Sequence, residues 1–414
     1  MRRIRSLATV VRWVGLGLVV GALAGVSSAA FLTALEWATD TRGERQWLLW
    51  LLPLVGLAVG FTYHRFAGAA ARGNNLILDE IHQPTQRVPA RMAPMVFAAT
   101  VATHLCGGSA GREGTAIQMS GSLSDALLAR VVRLASTDRR VVLIAAISGG
   151  FGAVFGVPIA GCIFGLEVQS AGRIRHDAIV PALVASVVGD QVVRLLDVAH
   201  TPLPVIGAID FTAGLAFKLV LAGVAFGLVA FVFIELTHAL KRVFGRAIVW
   251  PPLRPFVGGW VVIGLTYLVG TRDYLGLSVP LITDSVGGVV AVATFAFAWK
   301  LLFTAVTLGA GFQGGEVTPL FVIGATLGAV LGDALNAPIP LLAAVGLVAV
   351  FSGATNTPIA CTVMGVELFG SAIIVPLAIG AVVANVVSGR RSIYTSQRVA
   401  SARSTAVDHD AEFL

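Results

Sequence analysis

The chain has 414 residues, 56% of them hydrophobic and 12% charged, with a formal net charge of +7. Its mean hydropathy is +0.86. A soluble domain carries about 25% charged residues, so this composition excludes a soluble enzyme or binding module and indicates a polytopic, all-α membrane protein. The positive charge is mostly arginine at segment ends, such as Arg2, Arg3, Arg5, Arg139, Arg140, Arg390 and Arg391. Under the positive-inside rule these are cytoplasmic and interfacial anchors, not a nucleic-acid surface, and both termini are expected in the cytoplasm. Cys106, Cys162 and Cys361 lie in apolar context without pairing or metal spacing and read as buried small residues.

Residues 1–11 form a basic lead on the cytoplasmic side. A long first helix is expected over Val11–Trp37, and its Gly21-x-x-x-Gly25 spacing favours close packing on another helix. A dinucleotide fingerprint fails here, because no strand precedes these glycines. Gln46–Ala67 spans next, with Trp47 and Trp50 at its edge. The stretch Gly73-Asn74-Asn75 then opens a segment too short to span, and reads as a helix N-terminus pointing into the protein or as a surface loop.

Apolar segments resume at Met92–Cys106 and Thr115–Val131. Between them stands Gly107-Gly108-Ser109-Ala110-Gly111-Arg112-Glu113-Gly114-Thr115. Its glycines allow a tight backbone, and the following run is helical, so Glu113 falls at a helix N-terminus. Free N–H groups and the helix dipole make such an end an anion site. A carboxylate there fills the place of a small anion and leaves when protonated, which links anion binding to proton binding. An ionisable residue at this depth is a functional candidate by default.

Further segments follow at Val141–Ile147, Gly156–Glu167 and Ile179–Leu195. Residues 200–212 have the composition of a connection, which divides a first membrane half over 12–199 from a second over 213–390. The second half holds Phe211–Leu240, Val257–Val269, Val289–Val306, Thr318–Leu331, Leu341–Phe351, Pro358–Leu368 and Ala372–Val387. Many of these are shorter than a full span, which indicates tilted or broken helices buried by protein or lining a cavity. Residues 391–414 read as a polar cytoplasmic tail, disordered from 400 and too short for a nucleotide-binding (CBS) pair.

The halves resemble each other. Pro158-Ile159-Ala160 with Gly165 and Glu167 is repeated as Pro358-Ile359-Ala360 with Gly365 and Glu367. Gly111-x-Glu113-x-Thr115 is repeated as Gly314-x-Glu316-x-Thr318, and both matches are about 200 residues apart. Paired interrupted segments in two halves point to a transport site near the midplane. Three helix N-termini are candidates to meet there, at Gly73–Asn75, Gly111–Thr115 and Gly314–Pro319. A small, strongly hydrated anion needs several such donors to replace its water. Glu316 is a second carboxylate beside the proposed site, and two carboxylates with an anion favour sharing a proton. Glu167 and Glu367 are assigned to structure, His104 to helix packing, and Lys300 and Arg112 to the water interface or a carboxylate partner. No Ser/His pair, His-Glu-x-x-His or phosphate loop supports an enzyme, and no catalytic residue, metal or cofactor is expected.

These motifs are similar to the CLC anion channels and transporters over roughly residues 10–398. The likeness rests on Gly111-Arg112-Glu113-Gly114-Thr115, on Val157–Val168 with its second-half counterpart, and on Gly314-Gly315-Glu316-Val317-Thr318-Pro319. It is strongest for the fluoride branch. Gly73-Asn74-Asn75 replaces the serine loop of chloride-selective relatives, Glu316-Val317-Thr318 replaces their phenylalanine loop, and Thr115 stands where they usually have proline. The resemblance implies two inverted repeats of tilted and broken helices, a homodimer with one pore per subunit, and fluoride export in exchange for protons across the bacterial inner membrane. A chloride/proton antiporter or passive anion channel of the same fold is the alternative. It implies that Glu113 is the gating and proton-transfer residue and that Glu316 couples the two ions centrally. Asn74, with Asn75 as the fallback, would set selectivity beside Gly73. Gly111, Arg112, Gly114, Val317, Thr318 and Tyr394 would complete the anion path.

Overall fold

A computed structural model describes residues 2–131, 135–288 and 293–399. The expected tail from 400 onward and the expected start of a helix at 289–292 lie outside the described residues. The chain runs through α1 (Arg2–Glu44), α2 (Leu52–Thr62), α3 (Asn74–His82), α4 (Met92–Leu105), α5 (Glu113–Val131) and α6 (Ser136–Phe155). It continues through α7 (Pro158–Glu167), α8 (Ile179–Leu195), α9 (Ala213–Ala247), α10 (Leu253–Val269) and α11 (Val279–Gly287). It ends with α12 (Ala296–Ala310), α13 (Val317–Ala334), α14 (Ile339–Thr355), α15 (Pro358–Phe369) and α16 (Ile374–Ser388). Among the described residues, six stretches are long and apolar enough to cross a membrane, and several others are shorter apolar helices. The protein is a membrane protein of tilted and interrupted helices.

Several boundaries differ from expectation. The basic lead is helical, since α1 begins at Arg2. The segment Gln46–Ala67 breaks into a 3-10 turn, α2 and a π turn. The short apolar run at Val141–Ile147 is the middle of the 20-residue α6. Helix α11 went unexpected: nine residues are too few for a periodic signal, although Ser278-Val279-Pro280 is a start of the kind that favours proline in the first turn.

Small residues set the helix spacing. A Cβ at Gly21 would lie 2.7 Å from Ala185 O, and one at Gly25 would lie 2.5 Å from the Val192 Cβ, so α1 and α8 touch backbone to backbone. Gly223 and Gly227 of α9 meet Val383 and Val387 of α16 in the same way.

The repeated Pro-Ile-Ala segments explain each other. At the end of α7, Glu167 accepts the N–H groups of Ile359 (3.2 Å) and Ala360 (2.8 Å) at the start of α15. At the end of α15, Glu367 accepts those of Ile159 (3.0 Å) and Ala160 (2.7 Å) at the start of α7. Each helix therefore caps the other, which is possible only when they run antiparallel. The two halves are inverted with respect to one another, and the glutamates are structural as expected. Phe151, Phe155 and Phe164 of the first half pack on Phe321 and Phe351 of the second, with ring centroids 5.1 to 6.0 Å apart.

Candidate functional site

The starts of α5 and α13 approach each other from opposite halves. Gly111 and Gly315 exchange backbone hydrogen bonds of 2.6 and 2.7 Å, a one-residue antiparallel bridge. A Cβ on Gly315 would lie 3.0 Å from the amide nitrogens of Glu113 and Gly114, so glycine is required for this approach.

Glu113 opens α5 and is fully buried. Its carboxylate turns away from its own helix and lies on the start of α13. It accepts the Thr318 N–H at 3.1 Å, the Thr318 hydroxyl in a short contact, and the Arg112 N–H at 3.1 Å. Thr318 is the second residue of α13, so its N–H is one of the donors that the helix itself leaves free. The carboxylate occupies the place that a helix N-terminus offers an anion. The Arg112 guanidinium lies nearby, with Nε 3.7 Å from the carboxylate, but this Nε has no hydrogen-bond partner. Arg112 pairs with a carboxylate through charge alone, and Pro319 sits in the first turn of α13.

Helix α3 is the third N-terminus. Gly73 caps it with φ +57°, a left-handed conformation that suits glycine, and Asn74 and Asn75 are its first residues. The asparagines part company. Asn75 Oδ1 accepts the Ser396 N–H at 2.9 Å. The Asn74 amide nitrogen instead faces Gly114, 3.0 Å from where a Cβ would stand, and Asn74 Oδ1 is buried without a partner. Asn74 thus turns to the start of α5 and Asn75 away from it. Val317 is buried as the first residue of α13. Glu316 holds the N-cap position of α13 but makes no side-chain cap bond, and it takes no part in holding Glu113.

Tyr394 reaches the site because the chain folds back after α16. Gln397 Nε2 donates to Val168 O (2.8 Å) and Thr355 O (2.7 Å), Arg398 N–H to Gln169 O (3.2 Å), and the strands β1 (Ser170–Ala171) and β2 (Arg398–Val399) pair. Residues 391–399 are therefore packed structure, not a loose tail. Buried Tyr394 lines one small cavity with Asn74, Ile117, Phe164 and Val168. A second cavity of about 50 Å³ is walled by Arg112, Thr318, Phe155, Phe321 and His200.

Two further residues behave differently from each other. His104 is buried, with Nδ1 2.8 Å from Thr100 O and Nε2 3.0 Å from Ala110 O, which is the packing role expected. Lys300 is at neither the water interface nor a carboxylate. It is fully buried, and its Nζ donates to Tyr274 O (3.2 Å), Gly276 O (2.7 Å) and Ser278 Oγ (2.9 Å). The turn before α11 supplies the oxygens that let the ammonium stay dry, and no local signal in the sequence shows that turn. Gln397 was also missed, since a lone glutamine far along the chain carries no spacing signal. All three cysteines are free and buried.

Broken helices from two inverted halves, meeting end-on at a buried carboxylate, define a membrane ion-transport fold. The family model "Voltage gated chloride channel" matches residues 55–389. The chain belongs to this family, the CLC channels and transporters. It is 46% identical over 399 residues to a chloride/fluoride channel protein of Pseudomonas syringae pv. tomato, covering 95% of this chain and 88% of that one. An H(+)/Cl(-) exchange transporter ClcA of Vibrio vulnificus is 26% identical over 417 residues, covering 92% and 88%. Among solved structures, a CLC-type fluoride/proton antiporter superposes with a TM-score of 0.91 at 32% identity, covering 94% and 98%. A slow cyanobacterial Cl-/H+ antiporter shares the fold, with a TM-score of 0.78 at 18% identity and coverage of 93% and 96%.

Proposed function

We propose that this protein exports fluoride in exchange for protons. The observation that carries the reading is the Glu113 carboxylate held on the α13 N-terminus by Thr318. A charged Glu113 competes with an anion for the same donors. A protonated one loses that advantage and releases the site. Each cycle therefore exchanges an anion for a proton, with Glu113 as gate and proton carrier. The likeness to a chloride/fluoride channel protein and to a CLC-type fluoride/proton antiporter supports fluoride as the anion.

In this reading Asn74 sets selectivity, with Gly73 and Asn75 shaping its loop. Arg112, Gly114, Val317 and Thr318 supply backbone donors and positive potential around the anion, and Gly111, whose own N–H goes to Gly315 O, lets the two helix starts approach. Tyr394 lines the path on the side of the N-terminus, and Glu316 serves central coupling. The halves are residues 12–199 and 213–390, joined by 200–212. Both termini are cytoplasmic in a bacterial inner membrane; for the N-terminus this is supported by Arg12, which pairs with Asp138 at 2.6 Å beside the arginine-rich start of α6. The protein acts as a homodimer with one pore per subunit. It is a transporter, not an enzyme.

The test is anion efflux from liposomes holding purified protein, followed with fluoride and chloride electrodes and an external pH probe. Fluoride release with matched proton uptake, which persists as uncoupled release in Glu113→Gln, is the expected result. Equal chloride and fluoride flux would favour the chloride/proton alternative, and fluoride flux without protons would make the protein a channel.

A further inference from the structure

We propose that His200 is the group that hands protons to Glu113 from the side of the membrane opposite the N-terminus. The inference rests on the proton-coupled reading above and adds a residue from the connection between the halves. That connection is fixed in place: the Ile206 N–H donates to Phe369 O at 2.9 Å, and His200 reaches the cavity beside the gate. Two other walls of this cavity are Arg112 and Thr318, the residues that hold the Glu113 carboxylate. The rest of the lining is Thr201 and apolar groups such as Phe155, Ile282, Phe321 and Leu347.

The cavity, of about 50 Å³ with four polar side chains in its wall, can hold water, but water does not store a proton near neutral pH. Arg112 cannot give up its proton, and threonine hydroxyls do not store one. Among the described residues that line the cavity, His200 alone takes up and releases a proton near neutral pH. Nε2 lies 2.8 Å from Ala153 O and donates its hydrogen there, which leaves Nδ1 as the basic nitrogen. Gly156, at φ +71°, closes on that edge of the ring: a Cβ there would lie 2.9 Å from Nδ1.

The charged groups around the ring are Arg112 from the gate loop and the ion pair of Asp190 with Arg194 on α8. Burial lowers the His200 pKa below its ordinary value, and Arg112 and Arg194 act in the same direction against Ala153 O and Asp190. The ring is therefore neutral at pH 7 and gains a proton as the outer side acidifies. A hydronium ion forms the new N–H bond at Nδ1 and leaves as water. Once the carboxylate leaves Thr318, that N–H bond breaks, the proton forms an O–H bond on Glu113, and the imidazole is neutral again.

The experiment compares wild type, His200→Gln and His200→Ala in liposomes while the outer pH alone is varied. Glutamine keeps an N–H donor for Ala153 O but cannot carry a proton. Coupled fluoride efflux should fall by about a hundredfold in His200→Gln at neutral outer pH, the low end for a positioned proton-transfer group. The rise of rate on outer acidification should disappear, while fluoride binding and thermal unfolding stay as in wild type. A Gln variant with the wild-type rate and outer-pH profile overturns the proposal and leaves the antiporter reading intact, even where His200→Ala fails to fold. A wild type that moves fluoride without protons overturns both.

Discussion

The crossed carboxylates of α7 and α15 allow a stability prediction with a worked magnitude. In each, one oxygen accepts one N–H: Glu167 Oε1 and Oε2 take Ile359 and Ala360, and Glu367 Oε1 and Oε2 take Ile159 and Ala160. Replacing one glutamate by glutamine keeps a single acceptor and turns an NH2 group toward the second N–H. The lost bond to a charged group costs about 1.5–3 kcal/mol. The lost charge at a helix N-terminus adds about 0.3–1 kcal/mol. Each substitution should therefore cost about 3 kcal/mol. The two sites are separated by the length of the ten-residue α7, roughly 15 Å. At that distance their effects should add to within about 0.5 kcal/mol, so the double variant loses about 6 kcal/mol. That is a large part of the roughly 5–15 kcal/mol by which proteins are stable. Denaturant unfolding of the purified protein in detergent, for the two single variants and the double, measures this. Single changes below about 0.5 kcal/mol would refute the capping argument, since surface substitutions without such a role fall in that range.

The two asparagines, which face different ways, give separate predictions. Asn74→Ala should weaken fluoride binding by about tenfold, the equivalent of one hydrogen bond of about 1.4 kcal/mol. Asn75→Ala should leave binding unchanged and cost about 1 kcal/mol of stability through the Ser396 N–H that it releases; isothermal titration with fluoride and thermal unfolding separate the two. Lys300→Met should lower stability by about 3 kcal/mol, because Tyr274 O, Gly276 O and Ser278 Oγ lose a buried donor; an unfolding midpoint equal to wild type would contradict the role given to this ammonium.

Composition by itself determines that the chain belongs in a bilayer, because a 12% charged chain cannot cover a soluble surface. The meeting of the two helix starts was legible for a local reason. Glycines around Glu113 and Glu316 mark the only kind of backbone that brings two helix starts together, and the duplicated Pro-Ile-Ala segments mark equivalent places in two halves. Contacts between residues far apart in the chain were not legible. Inverted halves were implied by the family resemblance alone, and Glu167 and Glu367 lying on each other's helix starts show them directly. The choice of Asn74 over Asn75 depends on the backbone of Ser396, more than 300 residues away. Lys300 stays buried because a turn of three oxygens, invisible in the pattern, closes around it. His200 reads as a linker residue until the fold sets it beside Arg112 and Thr318. Periodicity and glycine spacing report the local backbone, whereas the partner of a buried polar group is fixed only when distant segments pack.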